Sequence, residues 1–219
     1  PSALLSEKEF DNVYELPFTR LPHPTYIKRG EIPAFVMINC SVNIHRGCFG
    51  GCSFCTISAH QGKFIVNRSE NSILKEIETI SKMPYFKGYI SDLGGPSANM
   101  YRMKGIDEQL CLKCTRASCI FPNKYKNLNF NHRPLISLYE KAEKIPNIKK
   151  ISIGSGIRYD MLLDENKEKQ NKYGLIEYTN RLIRFHVSGR LKVAPEHTED
   201  HVLKSMRKPS FDYFLSFKK

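Results

Sequence analysis

Three cysteines set among glycines constrain this chain more than any other feature. Residues 45–57 read His-Arg-Gly-Cys-Phe-Gly-Gly-Cys-Ser-Phe-Cys-Thr-Ile, with Cys48, Cys52 and Cys55 at the spacing C-x3-C-x2-C. The apolar, β-branched run Ala34–Ile44 comes just before and predicts a buried strand that feeds a tight loop. Thiolates are soft ligands, and Gly47, Gly50 and Gly51 let the backbone wrap close to a bulky inorganic core. Three thiolates suit three irons of a four-iron cube and leave the fourth iron to a ligand that is not protein. Two other readings stay open on spacing alone. His45 stands three residues before Cys48 and completes a Cys3His set for zinc, or the thiols are inert. Disulfides fit poorly with seven cysteines, an odd number, and no signal-peptide pattern.

The rest of the chain alternates strand-like and helix-like stretches. Residues 1–33 are polar and broken by Pro17, Pro22, Pro24 and Pro33, so they read as an irregular N-terminal arm. Ser69 is a good N-cap, and Ile73, Leu74, Ile77 and Ile80 then repeat at helical spacing until Pro84. Residues 88–93 read as a strand ending in Gly94-Gly95-Pro96, which makes a β-loop-α-β unit and implies a parallel pair. Residues 100–133 break the rhythm and read as a basic, cysteine-bearing insertion. Pro134 opens a helix with Leu135, Leu138, Ala142 and Ile145 on its core face. A third strand follows at 149–154, a charged loop or helix end at 164–172 and a third helix at 175–185. A short fourth strand at 191–194 and a helix capped by Thr198 come next, and Phe211, Phe214 and Leu215 share a face of a last helix.

Strands alternating with helices predict a parallel α/β sheet, and four such units are too few for an eight-stranded barrel. Ligands of parallel sheets bind at the carboxyl ends of the strands. The loops at that edge carry the three cysteines, then Gly94 and Gly95, then Ser155, Gly156 and Arg158, then Glu196 and His197. Chemistry-bearing residues on all four loops of one edge argue for one active site. The chain reads as an arm at 1–33 and a core at 34–219, truncated at both ends. A net charge of +12 favours an anionic partner such as RNA, against the plainer reading of a solvated lysine-rich surface. No run of apolar residues suits a membrane span, and reduced cysteines predict a cytoplasmic protein without membrane contact.

The cysteine stretch resembles the radical SAM signature, with Phe54 in the aromatic position before the last cysteine. Longer stretches resemble the YgiQ family of radical SAM proteins: Val13–Pro17, Ser41–Ile44, Arg46–Cys55, Ile90–Pro96, Ser155–Asp160, His186–Gly189 and Leu191–His197. The resemblance implies a partial (β/α)6 radical SAM barrel with parallel strands. It also implies a [4Fe-4S] cluster on Cys48, Cys52 and Cys55 whose open iron binds S-adenosylmethionine. Reductive cleavage to a 5′-deoxyadenosyl radical and an electron donor of the flavodoxin or ferredoxin type follow from it. Gly94 and Gly95 match a glycine-glycine-glutamate strand end whose backbone meets the cofactor's amino group, with Pro96 in place of the glutamate. Phe54 is expected near the adenine, and Ser155 and Arg158 near the ribose or carboxylate. A distant likeness to enzymes acting on tRNA makes RNA or ribosome the expected substrate.

The insertion carries a second group, Cys111, Cys114 and Cys119, at C-x2-C-x4-C. It suits a second iron–sulfur cluster, a zinc site completed by His132, or buried thiols. Cys40 reads as a core residue. His197 beside Glu196 suits proton transfer or a structural role. The stretch 121–133 interleaves basic and aromatic residues, as a surface that stacks single-stranded RNA does, or as a loop pinned to the core. The competing overall reading is a non-enzymatic, zinc-stabilised, basic nucleic-acid-binding module.

Overall fold

The structure, a computed structural model, describes residues 3–219. The arm is more regular than its prolines suggest. Helix α1 (Glu7–Tyr14) opens with a capping box in which Ser6 and Glu9 satisfy each other's backbone N–H groups. Pro24–Arg29 forms a 3-10 turn. Helix α2 (Pro33–Ile38) replaces the first half of the expected strand. Pro33 sits in its first turn, where a fixed φ and a missing N–H cost nothing. Val36, Met37 and Ile38 are exposed, so this part of the apolar run is not the buried strand expected.

Strand β1 (Ser41–Asn43) and strand β2 (His45–Arg46) follow. Helix α3 (Ile57–His60) lies within the cysteine loop, and strand β3 (Val66–Asn67) closes it by pairing antiparallel with β2. Helix α4 (Glu70–Ser81) has the expected cap, with Ser69 Oγ accepting from Ser72 N at 3.1 Å. Strands β4 (Tyr89–Ile90) and β5 (Asp92–Gly94) are two halves of the second predicted strand. In the 100–133 segment, strand β6 (Lys104–Gly105), helix α5 (Glu108–Leu112) and strand β7 (Leu128–Asn129) form a unit of their own, β6 pairing antiparallel with β7. Helix α6 (Arg133–Glu143) and strand β8 (Lys150–Ile151) return to the main sheet. Helix α7 (Lys167–Lys172) precedes helix α8 (Leu175–Arg181), which runs into a wider π turn at Leu182–His186. Helix α9 (Asp200–Met206) and helix α10 (Phe211–Lys218) complete the chain.

The main strands are parallel and lie side by side in chain order. β1 pairs with β5 and β4 pairs with β8. The ladders are continuous: Ser91 N donates to Cys40 O at 2.9 Å and Leu93 N to Ser152 O at 3.1 Å. The expected fourth strand shrinks to one parallel bridge between Ile157 and Val193. Thr198 is not the cap of α9: that position belongs to Glu199, whose N–H donates to His197 Nδ1 at 2.9 Å. In α10, Phe214 and Phe217 pack on Tyr159, whereas Leu215 is exposed.

The core is where periodicity put it. Val42, Ile90, Leu93 and Ile151 on the strands meet Ile73, Ile77 and Ile80 of α4 and Leu135, Leu138 and Ala142 of α6. Each such side chain contributes about 1.5–3 kcal/mol. Cys40 packs at the edge of this core, as expected. A second apolar cluster of Phe49, Met100, Met103, Ile120, Leu128, Phe130, Met161 and Leu175 touches Cys48 and Cys119, and so underlies both cysteine groups. The arm is tied on by a buried cation. Arg68 pairs with Glu76, donates to Asn43 O at 3.0 Å and Ser72 Oγ at 2.9 Å, and lies 3.9 Å from the Tyr14 ring centroid. Arg20 of the arm pairs with the same Glu76.

Two histidines make this core acid-sensitive. Burial pushes His45 down to about 4 and His132 down to about 3. Both are neutral in the fold, whereas an unfolded histidine takes up a proton near pH 6.5. Stability present above pH 6.5 is therefore lost as pH falls towards 4 and then 3, on the order of 3 kcal/mol per histidine. Urea unfolding between pH 7 and 4 should show this loss, with about half of the pH 4–6.5 part removed in His45→Gln, since His132 contributes equally there.

Candidate metal centre

The first cysteine loop is folded tightly on its own base. Gly47 has φ +89°, and a Cβ there would lie 2.0 Å from Phe64 O. Its N–H donates to Gln61 Oε1 at 3.1 Å, and Cys48 N donates to Gly62 O at 3.1 Å. Phe49 is buried and anchors the loop in the second apolar cluster. On the far side α9 clasps it: Ser53 N donates to Met206 O at 3.0 Å, Ser53 Oγ to Ser205 O at 2.8 Å, and Arg207 Nη1 to Gly51 O at 3.1 Å.

At the strand ends, a buried arginine meets the thiols. Arg158 Nη1 lies 3.3 Å from Cys52 Sγ. Its other nitrogens grip Asp160, Nε to Oδ1 at 2.9 Å and Nη2 to Oδ2 at 2.7 Å. Burial opposes the arginine's charge, but Asp160 outweighs it and holds the guanidinium firmly protonated. The backbone of Arg158 is clamped by Asn99, which accepts from Arg158 N at 2.9 Å and donates to Arg158 O at 3.1 Å. Gly50 leaves the space between: a Cβ there would stand 3.0 Å from Arg158 Nη1 and 3.2 Å from Cys48 Sγ. Burial pushes the Cys48 thiol up, while Ser97 Oγ at 3.6 Å and Arg158 oppose that shift.

The glycine pair is fixed by close approach. A Cβ on Gly94 would lie 2.9 Å from Ser155 Oγ, and one on Gly95 would lie 2.5 Å from His45 Cε1. The His45 ring is thus fully buried and stacked against Gly95. Asp92 joins the second and third strand ends: its Oδ1 accepts from Gly154 N at 2.8 Å and Ser155 N at 3.1 Å, and Ser155 Oγ donates to Oδ2. Ser155 is therefore engaged by Asp92. Phe54 is 52% exposed on the loop surface. Glu196 has φ +73° and pairs with Lys208 at 3.5 Å, while His197 serves the turn before α9. Sequence reasoning missed Asp92, Ser97, Asn99 and Asp160. Asp92 and Asp160 stand inside the quoted motifs, but only the fold reveals which backbone and guanidinium groups they meet.

The second cysteine group lies against the first. Cys119 N donates to Phe49 O at 3.0 Å. A Cβ on Gly51, whose φ is +61°, would stand 2.0 Å from Ala117 O. His132, the fourth zinc ligand considered for this group, is instead buried beside Asn99, with Nε2 at 3.2 Å and its ring 4.8 Å from that of Tyr178. Among the described residues, no three His, Cys, Asp or Glu side chains gather around a point suited to one metal ion. The aromatics at 121–133 are engaged: Phe130 is buried under Lys124, whose Nζ bonds Leu163 O at 2.5 Å, and Arg116 covers Tyr125.

A family profile described as Radical SAM N-terminal matches residues 1–41. A UPF0313 protein of Bacteroides thetaiotaomicron is 61% identical over the whole chain, which covers 35% of that protein. One of Porphyromonas gingivalis is 57% identical, with 34% of it covered, and one of Chromobacterium violaceum 49% identical, with 27% covered. The chain spans about a third of the length of these relatives. Among the described residues, no helix is long and apolar enough to cross a membrane.

Gly51 should be indispensable to the joint between the two cysteine loops. Gly51→Ala forces a side chain into the left-handed region, at about 1–2 kcal/mol, and adds a clash with Ala117. Denaturant unfolding should show a loss of roughly 2 kcal/mol or more. Gly156→Ala, where a Cβ meets nothing within 4 Å, should stay near wild type.

Proposed function

Because the chain belongs to the YgiQ (UPF0313) family of radical SAM proteins, we propose that it is the part of such an enzyme that binds a [4Fe-4S] cluster through Cys48, Cys52 and Cys55. The observation that carries this reading is the cradle of thiols and a charged guanidinium around Gly50. The donor set fits the group: cysteine sulfur is the ligand such clusters use, and the missing Gly50 side chain leaves room beside it. When bound, the cluster with S-adenosylmethionine on its open iron supplies reductive cleavage to a 5′-deoxyadenosyl radical, for which a flavodoxin- or ferredoxin-type donor provides the electron.

The chain's own residues bind and orient. Arg158 opposes the negative charge of the ligating thiolates, and Asp160 and Asn99 keep it there. Gly94 and Gly95 present backbone to the cofactor's amino group, on a strand end stiffened by Asp92 and His45. Phe54 flanks the adenine from the loop surface. Arg158, beside the thiols, suits the carboxylate better than Ser155, whose hydroxyl Asp92 already engages. The parallel strands at 41–43, 89–94 and 150–151, with the bridge at 193, support reading the chain as the opening strands of a partial (β/α)6 barrel. The net charge of +12 favours an anionic substrate, of which RNA is the class we favour, and free cysteines suit the cytoplasm as the setting.

Anaerobic iron–sulfur reconstitution, dithionite reduction and EPR test this reading. The expected result is a four-iron signal that shifts when S-adenosylmethionine is added. That shift should be lost in Cys52→Ala. Stoichiometric zinc with no cluster signal would instead favour the nucleic-acid-binding module.

A further inference from the structure

The radical SAM reading leaves Cys111, Cys114 and Cys119 without a role, and their surroundings are built for more than three spare thiols. Cys114 N donates to Cys111 O at 3.1 Å, which curls the C-x2-C pair into one turn at the end of α5. Gly105 on β6 yields space to the sulfur: a Cβ there would stand 2.2 Å from Cys111 Sγ. Asn127 donates its amide N–H to Cys111 Sγ at 3.3 Å. The same side chain is held rigidly by Asp107, donating to its carbonyl at 2.8 Å and accepting from its N–H at 2.8 Å. An oriented N–H aimed at a cysteine sulfur is the outer-shell contact that tunes iron–sulfur ligands.

Cys119 is the third corner. It packs on the second apolar cluster, and its backbone is fixed by Phe49 O on one side and Tyr125 N on the other. Two cations stand nearby. Lys63 Nζ donates to Arg116 O at 2.7 Å, and Arg116 Nε donates at 3.3 Å to the carbonyl of Ser118, the residue before Cys119. Positive charge of this kind compensates a cluster whose thiolate ligands carry negative charge.

We propose that Cys111, Cys114 and Cys119 hold a second iron–sulfur cluster of the four-iron type, with one iron left to a ligand that is not a cysteine. Zinc fits less well. It requires four donors around one point, and the histidine considered as the fourth, His132, is buried with its Nε2 at 3.2 Å from Asn99. Each thiolate of a cube binds a separate iron, so three sulfurs spread along one loop suffice. The site shares a wall with the first cysteine loop through Phe49 O and the Gly51–Ala117 contact.

The two sites are separable by mutation, so the test does not depend on the first. The chain is reconstituted anaerobically, iron and acid-labile sulfide are counted, and Mössbauer spectra identify the cluster type. Wild type should hold about eight irons, the content of two four-iron clusters. The Cys48→Ala/Cys52→Ala/Cys55→Ala variant should keep about half of that, as should Cys111→Ser/Cys114→Ser/Cys119→Ser. Iron retained in the first variant and absent from the second would uphold the second site even if the first loop binds nothing. About four irons in wild type with none in the first variant would overturn the proposal, as would stoichiometric zinc bound through the second group. The wild-type count stands even if a variant fails to fold.

Discussion

A guanidinium sealed among protein groups is costly unless every nitrogen finds a partner. Arg158 meets that condition by drawing on its own loop and the first cysteine loop, while a third loop holds its backbone. Asp160, two residues along its own loop, takes two nitrogens. Cys52 of the first cysteine loop faces the third. Asn99, after the second strand, holds the backbone on both sides of the peptide. The loops that follow strands one, two and three therefore meet at one residue, the first through the Arg158 guanidinium and the second through its backbone. Chain order alone would leave them merely neighbours on one edge.

The two cysteine groups depend on a similar economy of space. Gly51 and Ala117 meet backbone to side-chain void, and Cys119 borrows the carbonyl of Phe49. Both loops rest on one apolar cluster that is distinct from the main core. The first loop is then closed from the other side by Ser53 and Arg207 at the end of α9. A rigid loop of this kind suits a bulky inorganic group, because ligand positions are set before the group binds.

Much of this was legible in the sequence, for identifiable reasons. Ser69, the isoleucines of α4 and the Leu135–Ala142 face of α6 obey local rules of capping and periodicity, and the fold follows them. The parallel order of the strands also follows from alternation. The failures have physical causes too. The run from Ala34 looked like strand because apolar, β-branched residues suit both strand and helix, and Pro33 decided for helix. Thr198 yielded the cap position to Glu199, with His197 as the acceptor. Asp92 and Asn99 could not be assigned from sequence because their partners lie in other loops, and Asp160 because its partner Arg158, though only two residues away, is buried against Cys52 only in the fold. Arg158 was legible as a strand-end residue but not as the cation beside Cys52.

The proposed role of that cation is to stand against thiolates that ligate a cluster, and the midpoint potential of the reconstituted first-loop cluster tests it most directly. The measurement is best made in the Cys111→Ser/Cys114→Ser/Cys119→Ser background, with and without Arg158→Met. A positive charge beside a cluster stabilises its reduced, more negative form. Removing Arg158 should therefore lower the potential while the iron content stays unchanged. An unchanged potential in a folded, fully loaded protein would contradict the account.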